Sequence, residues 1–587
     1  MLFYADIRKR IIITVFIYDP LFYQYKTVYI SFVILTKHKH FAKQSKTNAW
    51  YNLGVKSVNS VYGGGIVKRK YKISTGREVI EREYNYIPVR YIVAVFITLF
   101  EILSIIGIVV ACCYYIPYFY IAAWLTEIFC VIKIIASDDN PDYKVPWLLF
   151  VLILPIAGFM LYFLFYSRKL GKKFIRRLEE LKKYRYEKEQ KEILGELECE
   201  NAHASAQAKM LCSISGASVF CDTNQTYYPL GEDMWQEMVC DLEKAESFIF
   251  MEYFIIEEGT FWNSILEILK RKAHDGVTVR VLYDDIGCMS TLPGDYHKQL
   301  LKFGIEAKSF SRLRGQADSE FNNRSHRKIC VIDGKIGYTG GVNIADEYIN
   351  KIERFGHWKD TALRLEGEAV WELTRLFLTD YGINVKNLPE TKFELYPKQR
   401  EIHADGYVIP FGDGPSPLYN RRVGKSVIQN MLASATKYMY MTSPYLIIDN
   451  DLCQCIENAA LRGVDVRIIV PHIPDKKLVF GMTRSFYHRL MKSGVKIYEY
   501  KPGFIHAKSY IADDDYAMIG TINLDYRSLV HHFENGVWMY RCDSIKDLKK
   551  DIEETMAKSI EVTPEMLKTG LLNRFVRSVV RIFAPML

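Results

Sequence analysis

From about residue 215 the 587-residue chain passes twice through one order of short strands and helices. A chain that repeats itself at this scale has few folds open to it. SFIFMEYFII (247–256) and KYMYMTSPYLII (437–448) read as apolar strands. Each leads to a helix that ends at a glycine before a β-branched strand, in RKAHDGVTVRVLYDD (271–285) and in ALRGVDVRIIV (460–470). A second helix–glycine–strand unit follows in YHKQLLKFGIEAKSF (296–310) and FYHRLMKSGVKIYEY (486–500). Each half closes on a strand, a turn and a strand, HRKICVIDGKIGYTGGVN (326–343) and HAKSYIADDDYAMIGTIN (506–523). Gly276 thus pairs with Gly463, Gly304 with Gly494 and His326 with His506; the first half carries an insert at 311–325. Strand–helix alternation predicts an α/β fold with helices flanking each mixed sheet. Duplication predicts two similar lobes, 215–395 and 396–587, whose matching edges meet at one pseudo-twofold cleft.

The part before the repeat is of another kind. Residues 91–113, 114–132 and 147–166 are apolar runs; Glu101 and Glu127 are the only charges in the first two, and the third has none. About 20 apolar residues cross a bilayer core, so residues 91–167 are expected to hold about three transmembrane helices. The aromatic content, 41 Tyr and 32 Phe, fits a chain that meets a membrane surface. Charge agrees. Residues 1–190 hold 28 Lys/Arg against 14 Asp/Glu, and of a total of +9 this leaves −5 on residues 191–587. The basic excess lies beside the apolar runs, as in anchoring at an anionic membrane, and not on the catalytic body, where a nucleic-acid enzyme would carry it. Seven Lys/Arg fall in 68–90 and ten in 168–188. The positive-inside rule draws both stretches to the cytoplasm, yet three spans would separate them. The denser second stretch is taken to decide: residues 168–587 cytoplasmic, the acidic loop at Asp138, Asp139 and Asp142 outside. Residues 168–198 read as a charged juxtamembrane helix within a 168–214 linker. Residues 1–90 carry no signal-peptide pattern and remain unassigned. The twelve cysteines show no recurring metal-ligand spacing.

Both halves carry H-x-K-x4-D at the same place in the repeat: His326, Lys328, Asp333 and His506, Lys508, Asp513. By composition one such match arises in roughly one chain in twenty; two in register are not chance. Histidine and lysine two apart on a strand face the same way, with Arg327 and Ala507 on the other face. Each aspartate closes its strand at a turn leading to G-G-x-N (Gly340, Gly341, Asn343) or G-T-x-N (Gly520, Thr521, Asn523). Small residues such as Gly341 and Thr521 let a ligand approach the backbone, and the Asn343 and Asn523 amides are candidates for contact with a phosphoryl group. Two imidazoles suit a two-step displacement at phosphorus. One attacks; the other, protonated, serves the leaving oxygen and then the incoming hydroxyl. The two ammonium groups would hold the oxygens where charge builds up, and the aspartates would fix tautomers or orient the lysines. Neither HExxH nor an Asp-rich metal signature occurs, so a metal-free site with no cofactor is expected.

At these residues the chain resembles the phospholipase D superfamily, and within it the bacterial cardiolipin synthases. NPDYKVPWLLFVLILPIAGFMLYFLF (140–165), HWKDTALRLEGEAV (357–370) and INLDYRSLVHHFENG (522–536) resemble the segments flanking that family's motifs. The resemblance covers residues 92–587. It implies two phospholipase D-like lobes behind N-terminal transmembrane helices, in a multi-pass protein of the bacterial plasma membrane. It implies transfer of a phosphatidyl group between two phosphatidylglycerol molecules, giving cardiolipin and glycerol through a phosphatidyl-histidine. By analogy His326 is the nucleophile and His506 the general acid and base; the repeat itself is symmetric and does not choose. The expected partners are phosphatidylglycerol and anionic membrane lipid, not nucleic acid. Water or serine as acceptor would make the same site a phospholipase D or a phosphatidylserine synthase. Gly341 stands where many superfamily members have serine, removing a hydroxyl contact. Glu534 and, in the first half, Glu347 are candidates for orienting a catalytic group. FGDGPSP (411–417) is a turn or a loop lining the site. The C-terminal segment 571–587 reads as a basic amphipathic helix, lying on a bilayer or docked on the protein's own core.

Overall fold

The computed structural model describes residues 10–19, 24–33, 69–75, 78–84, 89–115, 119–137, 139–154, 157–165, 190–312, 323–383, 402, 404–416, 418–419, 421–568, 570 and 579–586. Residues 1–65 form a unit of their own, of which the described part is an antiparallel hairpin, β1 (Arg10–Asp19) with β2 (Gln24–Val33). The second unit, 66–587, opens with another hairpin, β3 (Arg69–Thr75) with β4 (Glu78–Tyr84).

Four apolar helices follow: α1 (Val89–Tyr115), α2 (Phe119–Ala136), α3 (Pro141–Ile153) and α4 (Ala157–Phe165). Among the described residues one helix is long and apolar enough to cross a membrane, α1, with a window at Val95–Cys112 of mean hydropathy 2.6 and none of it buried. α2 is shorter and carries Glu127 and Lys133. The third apolar run is not one helix. It divides between α3 and α4, and Trp147 packs edge-on against Tyr162 at 5.7 Å. The expected outside position of the loop before α3 is corrected too. Asp142 Oδ2 accepts from the Asn450 amide at 2.6 Å, and Asn140 Nδ2 donates to Asp449 at 2.7 Å, so the loop lies against the second lobe. Hydropathy registers an apolar run but not the turn within it.

The first lobe is a seven-stranded sheet in the order β5 (Thr223–Tyr228), β12 (Ala362–Gly367), β10 (Ile336–Gly340), β9 (Ile329–Ile332), β6 (Phe248–Tyr253), β7 (Thr278–Asp284), β8 (Glu306–Phe310). The second repeats it with one strand more: β13 (Tyr407–Asp413), β22 (Glu534–Tyr540), β20 (Tyr516–Gly520), β19 (Ser509–Ala512), β14 (Tyr438–Thr442), β16 (Asp465–Pro471), β17 (Lys496–Tyr500), β23 (Ser559–Glu561). β6, β7 and β8 are parallel, as are β14, β16 and β17, while β9 and β19 run antiparallel to their neighbours. The mixed sheets and two lobes are as the repeat predicts. The paired glycines Gly276, Gly304, Gly463 and Gly494 have φ of +93°, +78°, +95° and +97°, the left-handed stop that ends a helix.

β6 shows how the lobes join. Ile249, Met251 and Tyr253 enter a core beneath the first lobe's own helices. Phe248 and Phe250, on the opposite face by strand alternation, enter a second core that also holds Ile469, Ile511 and Val537 of the other lobe. β11 (His357–Lys359) pairs in parallel with β18 (Gly503–Ile505) across the seam, and β15 (Leu446–Ile447) pairs with β21 (Leu524–Asp525) beside it.

Of the expected 168–214 linker, 168–189 lie outside the described residues. Residues 190–215 are not a wholly solvated linker: one face of them is buried. The helices Gln190–Glu200 and Ala202–Ser215 bury Ile193, Leu197, Ala204, Ala208 and Leu211 in the second lobe's core. The apolar residues of this segment recur at helical spacing, a pattern its charges mask. Of 571–587, residues 571–578 and 587 are outside the described residues. The remainder docks on the protein itself: Ala584 is buried in the second-lobe core and Arg581 lies 4.4 Å above the Phe486 ring.

Candidate active site

The two motif histidines lie three residues before β9 and β19, where each lobe's chain reaches the other lobe. His326 N–H donates to the Phe533 carbonyl at 2.8 Å, and His506 N–H to the Lys359 carbonyl at 2.7 Å. Each next residue along the partner segment supplies a carboxylate. Glu534 lies 3.0 and 2.9 Å from His326 Nδ1 through its two oxygens, and Asp360 lies 2.6 Å from His506 Nδ1. Each lobe therefore orients the other's imidazole. With the proton on Nδ1 facing a carboxylate, Nε2 keeps its lone pair for chemistry.

The lysines complete the cluster. Lys328 Nζ donates to the His326 carbonyl at 2.8 Å, and Lys508 Nζ to the His506 carbonyl. Both are fully buried. Burial lowers Lys328 to about 7, helped by the charge of Lys508, and lowers Lys508 to about 8. Burial also lowers His326 to about 3 and His506 to about 4, with the flanking lysines adding to it and the carboxylates opposing it. Lys328 also bears on His506 across the seam, and on Lys328 bear both Glu534 and Asp360. The charged groups of both lobes share one buried volume. Burial thus favours the neutral form of both imidazoles, and an entering anion raises the proton affinity of the one that serves as acid. Burial alone would raise the Glu534 carboxyl, but His326 and His532 beside it hold it well below its usual range.

Asp333 and Asp513 are not in this cluster. Asp333 accepts from the Glu246, Ser247 and Phe248 amides at 2.7–2.8 Å. Asp513 accepts from the Thr436, Lys437 and Tyr438 amides and the Thr436 hydroxyl at 2.6–2.9 Å. Their φ values of +53° and +56° fit tight turns that carry each carboxylate back to the start of the central strand. The expectation that they fix tautomers or orient lysines is corrected: spacing puts them five residues beyond the lysine, at the far end of the strand. Nor does Glu347 orient a catalytic group; it pairs with Arg354 at 2.7 Å. The first-lobe counterpart of Glu534 is Asp360, in the HWKDTAL segment. The signal was the repeat itself: Asp360 stands two residues before Ala362, which pairs with Gly340, as Glu534 stands two before Gly536, which pairs with Gly520.

The small residues serve these carboxylates. Thr521 Oγ1 donates to Glu534 Oε2, and Ser528 Oγ to Oε1. A Cβ on Gly341 would stand 2.0 Å from Asp360 Oδ1. The departure at Gly341 thus makes room for the shorter carboxylate, where the second lobe has a hydroxyl that bonds the longer one. Asn343 is committed to structure: its Oδ1 accepts from the Ile255 amide at 3.0 Å and its Nδ2 donates to the Tyr348 hydroxyl at 2.8 Å. Asn523 Nδ2 donates to Asp525 at 3.2 Å. Behind His326, buried Arg327 donates to the Glu534 carbonyl at 3.0 Å and to Asp380 at 2.8 Å, and Gly412, in β13, packs against its guanidinium. Aromatic rings wall both imidazoles: Phe254 at 5.2 Å from His326, and Tyr348 and Trp358 at 5.4 and 5.6 Å from His506. His326, His532 and Glu534 offer three ligand atoms within 4.8 Å of one another, a set that could hold a cation; one bound there would compete with the hydrogen bond that orients His326.

A family described as cardiolipin synthase, PLD-like domain matches residues 238–354 and again 428–556, one match per lobe. Another, described as phospholipase D-nuclease N-terminal, matches residues 128–165. An uncharacterized protein of Streptococcus mutans is 45% identical over 466 residues, 78% of this chain and 99% of that protein. A cardiolipin synthase of Alkalihalophilus pseudofirmus is 33% identical over 468 residues, 79% of this chain and 92% of that enzyme. In fold, the chain is similar to a phosphatidylserine synthase of Haemophilus influenzae, with a TM-score of 0.50 and 16% identity over 66% of this chain and 98% of that one. Two lobes of this architecture, each matched by the same family, and relatives at this identity over most of both chains place the protein in the cardiolipin synthase family of phospholipase D-like proteins.

Proposed function

We propose that this chain is a cardiolipin synthase that transfers a phosphatidyl group from one phosphatidylglycerol to another, releasing glycerol. The observation that carries the reading is the reciprocal pairing of His326 with Glu534 and His506 with Asp360, flanked by two buried lysines. His326 Nε2 attacks phosphorus, and the bond from phosphorus to the glycerol oxygen breaks. Lys328 and Lys508 hold the non-bridging oxygens. The entering phosphodiester anion raises the proton affinity of His506, which protonates the departing glycerol oxygen. Glu534 stabilises the cationic phosphatidyl-histidine through Nδ1–H. A hydroxyl of the second phosphatidylglycerol then attacks phosphorus, His506 takes its proton, and the nitrogen–phosphorus bond breaks. Assigning His326 as nucleophile and His506 as acid and base follows the family resemblance. Lys328, Lys508, Asp360 and Glu534 complete the proposed site; Asp333 and Asp513 support it from outside, and Gly341, Thr521, Asn343 and Asn523 shape it. Residues 89–136 anchor the chain in the bacterial plasma membrane, with the catalytic lobes on the cytoplasmic face.

Vesicles of headgroup-labelled phosphatidylglycerol test this. The expected products are cardiolipin and free glycerol, lost in His326→Ala and His506→Ala. Phosphatidic acid instead would make the enzyme a phospholipase D. Product only when serine is added would make it a phosphatidylserine synthase. Activity unchanged in both alanine variants would refute the site.

A further inference from the structure

We infer that residues 141–165 do not cross the membrane but enter it from the catalytic side and return, so that the chain crosses twice, through α1 and α2. The inference rests on the proposed membrane anchoring and specifies its form. Length is the first argument. α1 has 27 residues and α2 has 18, about 40 and 27 Å at 1.5 Å per residue, against a core of about 30 Å; α3 has 13 and α4 nine, about 20 and 14 Å, and neither spans it. Nor do they stack into one long rod. Trp147 and Tyr162 touch at 5.7 Å between ring centroids, whereas fifteen residues of continuous helix would hold them about 22 Å apart. Gly158 lies so close to α3 that a Cβ there would be 2.2 Å from the Phe150 carbonyl oxygen. The two helices form a hairpin, α4 folded back along α3.

The open end of that hairpin is bolted to the catalytic body. Asp142 Oδ2 accepts from the Asn450 amide at 2.6 Å and from the Tyr526 hydroxyl at 3.2 Å. Tyr143 Oη and His531 Nε2 are 3.3 Å apart, and His531 stands three residues before Glu534. Farther along α3, the Phe150 ring lies 5.8 Å from Phe583 of the C-terminal segment. α3 therefore starts on the side where the lobes are, and α4, folded back along it, ends on that side. The closed end is apolar and uncovered by protein: Leu152 is 55% and Ile153 70% exposed. A lipid leaflet is the occupant that suits it, because α1 and α2 beside it present Phe96, Phe100, Trp124 and Phe129 equally bare. Charge supplies an independent argument. With two crossings the seven Lys/Arg of 68–90 and the ten of 168–188 face the same compartment, and the positive-inside rule is met by both. With three it is broken by one of them.

The test places single cysteines at positions 74, 116, 137 and 167 of a full-length chain whose native cysteines are replaced. A membrane-impermeant maleimide is applied to spheroplasts and to sealed inside-out vesicles. Only variants that still convert phosphatidylglycerol are read; if the cysteine-free chain is inactive, a short epitope tag inserted at the same positions in the native chain is read with antibody. The expected result is that 74, 137 and 167 react from one face and 116 from the other. Positions 137 and 167 reacting from opposite faces would overturn the hairpin while leaving the membrane anchoring intact. Release of the whole protein by alkaline carbonate would instead overturn the anchoring itself, and the hairpin with it.

Discussion

Replacing Asp360 by asparagine tests the reciprocal site most directly, because the change keeps shape and removes only charge. Asp360 is fully buried, its Oδ2 2.6 Å from His506 Nδ1 and its Oδ1 accepting the Thr361 amide at 2.8 Å. Two unit charges at that separation interact by about 6 kcal/mol at an effective dielectric of 20. The interaction acts only when His506 carries a proton, which the reaction requires as the glycerol oxygen leaves. Dipoles of the asparagine amide and relaxation of the site recover part of it. A barrier increase of about 3–5 kcal/mol remains, a rate lower by about 10²–10⁴-fold. The assay is single-turnover release of labelled glycerol from phosphatidylglycerol in vesicles, run beside an aryl phosphodiester whose leaving group needs no proton. Asp360→Asn should lose its full factor on the lipid and most of it should vanish on the aryl substrate, with the urea midpoint within experimental scatter of wild type. A loss under about tenfold on the lipid, or an equal loss on both substrates, would refute the assignment of Asp360 to the acid–base imidazole.

Asp333→Asn should behave in the opposite way: a carboxylate that accepts three backbone amides contributes on the order of 2–4 kcal/mol to folding, so the urea midpoint should fall while the rate per folded molecule stays within about threefold. The pH profile of kcat/KM, which reports the free enzyme, should rise through about 3 as His326 frees its lone pair and decline above about 4 as His506, which must carry a proton into the transition state, loses it. It should fall further through about 7–8 as Lys328 and Lys508 lose the ammonium charge that binds the anion. In Lys328→Arg, whose guanidinium stays charged, the alkaline limb should move upward, as measured with a short-chain soluble lipid. Gly341→Ser should lower activity by about tenfold or more because its Cβ meets Asp360 and displaces it from His506. Adding Asp360→Glu should recover part of the loss by recreating the Thr521–Glu534 arrangement of the other lobe; no recovery in the double variant would count against that equivalence.

Much of this protein is written in local pattern. Strand alternation in FIFMEY, glycines after the helices and the doubled H-x-K-x4-D need only neighbouring residues to be read, because propensity, side-chain direction and composition are local properties. They give two α/β lobes, two imidazoles and two ammonium groups, and the apolar runs give a membrane. What the motif's own spacing could not give is which carboxylate meets which imidazole. Asp333 and Asp513 are near in sequence but face backbone amides, whereas Asp360 and Glu534 lie 146 and 208 residues from the histidines they hold. Hydropathy, likewise, counted 147–166 as a crossing because it sums apolarity along the chain and is blind to the turn that brings Tyr162 back to Trp147. Pairing across a pseudo-twofold seam and reversal within an apolar run are long-range contacts, and only the folded chain brings their partners together.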